Sequence, residues 1–208
     1  MHHKGMDIEG VFLFEASVNL FSAFVSILIA YYSYKASKMG ADFLGYTSSG
    51  FTLLSVSLLT RSVYMLSVTG GRPIVFALTR EGFIVNNAVM VLAYLLIAYS
   101  YFKSHREMSG LLLAIPPINI LFNPSIEMVL FMISLYITLT LLVSYLDMRS
   151  SSTLYVTFAF LLVSISHLSF LMVLLSESGL PYFLGSLARL VGFLILLWVI
   201  IKVAGRSK

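Results

Sequence analysis

Apolar residues come in long runs, separated by short breaks of charge, glycine, serine or proline. A helix that crosses a bilayer needs about 20 largely apolar residues. Read between the breaks, the pattern predicts seven spans: 10–34, 42–66, 82–103, 109–122, 125–146, 152–175 and 181–203. The fourth stands apart because it is short and carries Pro116-Pro117 in its middle, where proline removes a backbone donor and kinks a helix. The first begins too late and runs too long for a signal peptide, and it lacks a basic leader with small-residue cleavage chemistry.

Composition turns this pattern into a class. Of 208 residues, 59% are hydrophobic and 11% charged, against about 25% charged in soluble domains. So little charge excludes a soluble globular enzyme, and so much apolar residue excludes a disordered chain. The expectation is an all-α membrane protein in a single membrane domain, with no room for a soluble catalytic domain. Cysteine is absent, which excludes disulfides, thiolate metal sites and a cysteine nucleophile. The net charge of +4 belongs to loops rather than to a nucleic-acid surface.

Charge placement sets an expected orientation. The loops after spans one, three, five and seven hold Lys35, Lys38, Lys103, Arg106, Arg149, Lys202, Arg206 and Lys208, while the other side has only Lys4, Arg72 and Arg80. Asp7, Glu9, Glu81, Glu127 and Glu177 fall on that other side. The positive-inside rule then puts the N-terminus outside and the C-terminus in the cytoplasm of a cell-membrane protein. Tyr31, Tyr34, Tyr99 and Tyr145 fall at the expected inner interface, the layer that tyrosine favours.

The chain also resembles itself. Residues 46–57 align without a gap with 155–166, matching Tyr46 with Tyr155, Phe51 with Phe160, and Ser55/Ser57 with Ser164/Ser166. The expected architecture is therefore 3+1+3: a three-helix repeat over 10–103, a linker helix at 109–122, and a second copy over 125–203. The two copies would face the same way, about an axis along the membrane normal.

The run Ala30-Tyr31-Tyr32-Ser33-Tyr34-Lys35-Ala36-Ser37-Lys38, followed by Phe43-Leu44-Gly45-Tyr46 and Gly50-Phe51-Thr52-Leu53-Leu54, resembles a pattern in small archaeal and bacterial seven-helix membrane proteins. The match covers about forty residues. Those proteins are largely unassigned, and some look like sensory input modules, so the resemblance implies a sensor-like membrane protein. Three other families fit worse. SWEET-type sugar transporters have prolines in spans one and five, microbial rhodopsins have a lysine midway along span seven, and alkaline-ceramidase-like hydrolases need several histidines and acids.

Charges within spans are costly and normally face the bundle with partners. Six polar residues stand out as a candidate ligand site: Glu15, Asn19, Arg61, Asn87, His167 and Arg189. At about 1.5 Å of rise per residue, all six lie in the outer half, roughly 6–14 Å from its boundary. Each sits on a polar or small stripe, such as Glu15-Asn19-Ser22-Ser26 on span one and Gly185-Arg189-Gly192 on span seven. Glu15 would neutralise Arg61 or Arg189, leaving the other arginine for a small polar or anionic ligand. A histidine in such a pocket can act as a switch near neutral pH. The same groups serve equally well as glue between helices. Arg189 and His167 lie too deep to snorkel, whereas Glu15 and Arg61 do not.

No phosphate loop, HExxH or GxSxG occurs. The functional expectation is a non-enzymatic protein without cofactor or metal. It would be a sensor-like ligand binder or an accessory subunit acting with a protein partner or a second copy of itself. A small-solute transporter with its site between the repeats is the alternative.

Overall fold

The computed structural model describes residues 8–69, 73–104, 125–173 and 180–205. These form six helices: α1 (Ile8–Lys38), α2 (Leu44–Thr69), α3 (Pro73–Ser104), α4 (Ser125–Met148), α5 (Ser151–Val173) and α6 (Leu180–Gly205). Each packs against the next in order, and α6 packs against α1, so the six close into a ring.

Contacts along the chain fix the directions. Phe14 stacks on Phe183 near one end of α1 and α6, and Ala36 packs with Ala204 near the other, so these two helices run in parallel. Tyr94 meets His167 and Tyr101 meets Phe160, so α3 and α5 are antiparallel. The tight α4–α5 turn makes those two antiparallel as well. Accordingly α1, α3, α4 and α6 point one way and α2 and α5 the other.

Two local devices shape the turns. At the end of α1 the Gly40 amide donates to the Ser37 carbonyl and the Ala41 amide to the Ala36 carbonyl, a Schellman motif. Gly40 takes φ +104°, a conformation that costs glycine nothing. Arg149 does the same work after α4 with φ +49°, its amide donating to the Tyr145 carbonyl at 2.7 Å.

The helices come close where side chains are small. A Cβ on Gly192 of α6 would stand 2.8 Å from the Ala159 carbonyl oxygen of α5, and one on Gly185 would stand 3.0 Å from that of Ser166. Gly50 likewise presses α2 onto α3, 2.8 Å from the Ala93 carbonyl oxygen. The interior is filled by residues such as Phe51, Leu58, Tyr94, Leu130, Phe160 and Phe193. Large apolar side chains, among them Leu20, Phe24, Val63 and Trp198, are exposed on the outer faces.

Five helical stretches are long and apolar enough to cross a membrane: Gly10–Lys38, Ile84–Tyr101, Ile126–Met148, Ser151–Met172 and Leu180–Gly205. The chain is thus an all-helical, multi-pass membrane protein, but the expected seven-span 3+1+3 bundle must be corrected. Six helices, not seven, are found among the described residues, and α2 is not among the five apolar ones. Its serines, threonines and Arg61 dilute the hydrophobic run that had been read as span 42–66. The expected linker helix, 109–122, lies outside the described residues.

The parallel repeat finds no support either. The aligned stretches place their small residues differently: Gly50 of α2 meets Ala93 of α3, whereas its counterpart Ala159 on α5 meets a glycine on the other helix, Gly192 of α6. Ser57 donates to the Asn86 carbonyl at 3.4 Å, while the buried hydroxyl of its counterpart Ser166 has no partner.

Gly192→Ala is expected to lower stability by about 1–3 kcal/mol, because the facing atom is backbone and cannot rotate away. Thermal unfolding of the detergent-solubilised protein measures it. An unchanged unfolding temperature would show that α5 and α6 are not held this closely.

Candidate functional site

Polar side chains from all six helices meet in one continuous network. On α1, Glu15 and Asn19 are one helical turn apart and fully buried, and the Asn19 amide donates to Glu15 Oε1 at 3.4 Å. Arg61 of α2 reaches Glu15 Oε1 through Nη2 at 3.1 Å. Its Nη1 contacts Glu127 Oε1 of α4 at 3.4 Å. The second oxygen of Glu127 lies 2.7 Å from His167 Nδ1 on α5. His167 Nε2 is 2.9 Å from the Tyr94 hydroxyl of α3. Arg189 of α6 closes the set by donating from Nη2 to Asn19 Oδ1.

When His167 is neutral, its partners decide which ring nitrogen carries the proton. An ionised carboxylate only accepts, so Nδ1 carries the hydrogen and donates to Glu127. Nε2 then accepts from the Tyr94 hydroxyl. Glu127 therefore uses one oxygen for an arginine on α2 and the other for a histidine on α5. Its position in the first turn of α4 also suits a negative charge, since helix N-termini carry partial positive charge.

The two arginines are treated differently. Arg61 is met by two carboxylates. Arg189 is 1% exposed and has an amide partner but no carboxylate contact among the described residues. Phe170 lies between the two cations, with its ring centre 5.3 Å from the Arg189 guanidinium and 5.8 Å from that of Arg61. A desolvated cation over an aromatic face gains about 2 kcal/mol. Arg61 Nε, Arg189 Nε and Glu15 Oε2 are buried without a hydrogen-bond partner.

Five of the six residues expected at the site are brought together here: Glu15, Asn19, Arg61, His167 and Arg189. Asn87 is not. It is buried on α3 but makes no contact with the network among the described residues, where α3 is represented by Tyr94. Sequence reasoning placed Glu127 in an outer loop and left Phe170 unmarked. The charge count held the missing signal for Glu127, because two buried guanidiniums call for two buried carboxylates and Glu15 is only one. Among the described residues, no group of three His, Cys, Asp or Glu side chains has the geometry to hold a metal ion.

Compared with protein-family models, curated proteins and solved structures, the chain matches none. The site therefore has to be interpreted from its own chemistry.

Glu127→Ala should destabilise the protein by about 3–5 kcal/mol, the range for breaking a buried charge pair by removing one partner. Tyr94→Phe removes one neutral hydrogen bond and should cost only about 1 kcal/mol. Unfolding temperatures of the two variants in one detergent test the order. Equal effects would mean that Glu127 is not the shared hub.

Proposed function

We propose that the chain is a non-enzymatic membrane protein of the cell membrane, a sensor-like binder of a small polar or anionic ligand or an accessory subunit of a membrane complex. One observation carries this reading. Every described helix contributes a side chain to a single buried network, so an event at any member reaches all six helices. The network gathers charge where charge is costly, and residues of this kind within membrane segments commonly mark functional sites. Arg189 has donor capacity left over, and ligand recognition would use that group. The basic inner loops point to an N-out, C-in orientation under the positive-inside rule. A sensor of this form would pass its signal to a protein partner or a second copy.

Transport of a small solute is the second reading. It is favoured by three contacts that join the first three helices to the last three: Arg61–Glu127, Tyr94–His167 and Asn19–Arg189. A site between two halves of a bundle is where transporters bind their cargo.

Purification in mild detergent, with mass spectrometry of bound molecules and an optical spectrum, tests these readings directly. The wild type is expected to retain a small molecule or a partner that Arg189→Ala and His167→Ala lose by at least about tenfold, or 1.4 kcal/mol. If both variants fold and keep everything the wild type keeps, the network is glue between helices. Solute uptake into proteoliposomes by the wild type would favour transport.

A further inference from the structure

The charges in the network restrict what it can bind. Two carboxylates, Glu15 and Glu127, stand against two guanidiniums, Arg61 and Arg189. An isolated charge brought into a low-dielectric interior is strongly disfavoured, so a bare anion or cation would upset this balance. A ligand carrying both signs would not.

The unused atoms stand at the matching places. Glu127 has both oxygens engaged, and Arg61 bonds to both carboxylates. Three atoms of charged groups remain buried and without partners: Arg61 Nε, Arg189 Nε and Glu15 Oε2. Arg61 is already met by two carboxylates, which leaves Arg189 to set against Glu15. Leaving such groups unbonded is costly, most of all for charged ones. A single residue, Asn19, links the two. Its carbonyl oxygen accepts from Arg189 and its NH2 donates to Glu15. The carboxamide is thus a neutral dipole with its acceptor toward the cation and its donor toward the anion. A molecule with a carboxylate and an ammonium presents the same pair of groups with full charges.

We propose that Glu15, Asn19 and Arg189, between α1 and α6, form a binding site for a small zwitterion. The ligand carboxylate would take the Arg189 Nε–H, its ammonium would donate to Glu15 Oε2, and Asn19 sets the spacing. Binding a zwitterion leaves the net charge of the interior unchanged. This inference rests on the ligand-binding reading above and narrows it from polar or anionic ligands in general to dipolar ones.

The test uses the full chain in lipid nanodiscs, with thermal unfolding followed in glycine, β-alanine, acetate or methylammonium. Glycine or β-alanine is expected to raise the unfolding temperature by about 2–4 °C per factor of five in the folded/unfolded ratio. Acetate and methylammonium, alone or mixed, should leave it unchanged. Glu15→Gln and Arg189→Lys should abolish the shift. N-acetylglycine, which keeps the carboxylate and lacks the ammonium, gives the same comparison on the wild type if Glu15→Gln does not fold. Acetate or N-acetylglycine stabilising as well as glycine would overturn the zwitterion and leave an anion site. No response of the wild type to any probe also overturns it. The broader ligand reading fails separately, when Arg189→Ala and His167→Ala retain all that copurifies with the wild type.

Discussion

Two guanidinium groups lie inside a ring of apolar helices, and the arrangement of the interior follows from that. A charge held away from water needs an opposite charge or a full set of hydrogen bonds nearby. Arg61 obtains the first from Glu15 and Glu127. Arg189 obtains part of the second from Asn19 and rests against the Phe170 ring. These requirements constrain the rotation of each helix about its axis. Turning α1 would carry Glu15 and Asn19 off the inner face together, and turning α4 would separate Glu127 from two partners at once.

Small residues make such a network reachable. Polar side chains from six helices can meet only if the backbones approach closely, and Gly50, Gly185 and Gly192 provide that at the α2–α3 and α5–α6 contacts. Gly185 and Gly192 flank Arg189 on α6, so one stretch of that helix supplies both the close packing and the cation the packing surrounds. Association of helices in a membrane relies on such packing and on interhelical hydrogen bonds, because lipid offers no hydrophobic gain over a leucine neighbour.

Much of this was legible in the chain. Long apolar runs located the described helices to within several residues at most ends, and the polar stripes on α1, α5 and α6 picked out the faces that turn inward. The failures have physical causes. Reading uncharged runs between breaks treats a serine-rich helix such as α2 and a leucine-rich one alike, although only the second is apolar enough to qualify as a span. An acid at the edge of a run, as Glu127 is, can face a loop or the bundle, and periodicity cannot decide over a single turn. Helical spacing also says which residues share a face but not which face they meet. Hence Glu15 was matched to either arginine, whereas the fold gives it Arg61 directly and Arg189 only through Asn19. Asn86 and Asn87 are both buried, yet neighbouring residues on a helix point about 100° apart. Burial alone could not assign either to the network, and α3 uses Tyr94, two turns further on.

The pattern of contacts bears on whether the network is glue. Gluing a ring requires only bonds between neighbours, and some are present: Glu15–Arg61 joins α1 to α2, and Asn19–Arg189 joins α1 to α6. Arg61–Glu127 and Tyr94–His167 are different. They connect α2 with α4 and α3 with α5, pairs whose backbones do not pack against each other. Bonds across a ring add little to the cohesion of adjacent helices, which their own packing already supplies. They do make the position of each helix depend on helices it does not touch, through Glu127, whose two oxygens serve opposite sides. Displacing one member therefore changes bonds around the ring, and the ligand proposed at the α1–α6 seam would have a covalent and hydrogen-bonded route, through Asn19, Glu15 and Arg61, to the far side of the bundle.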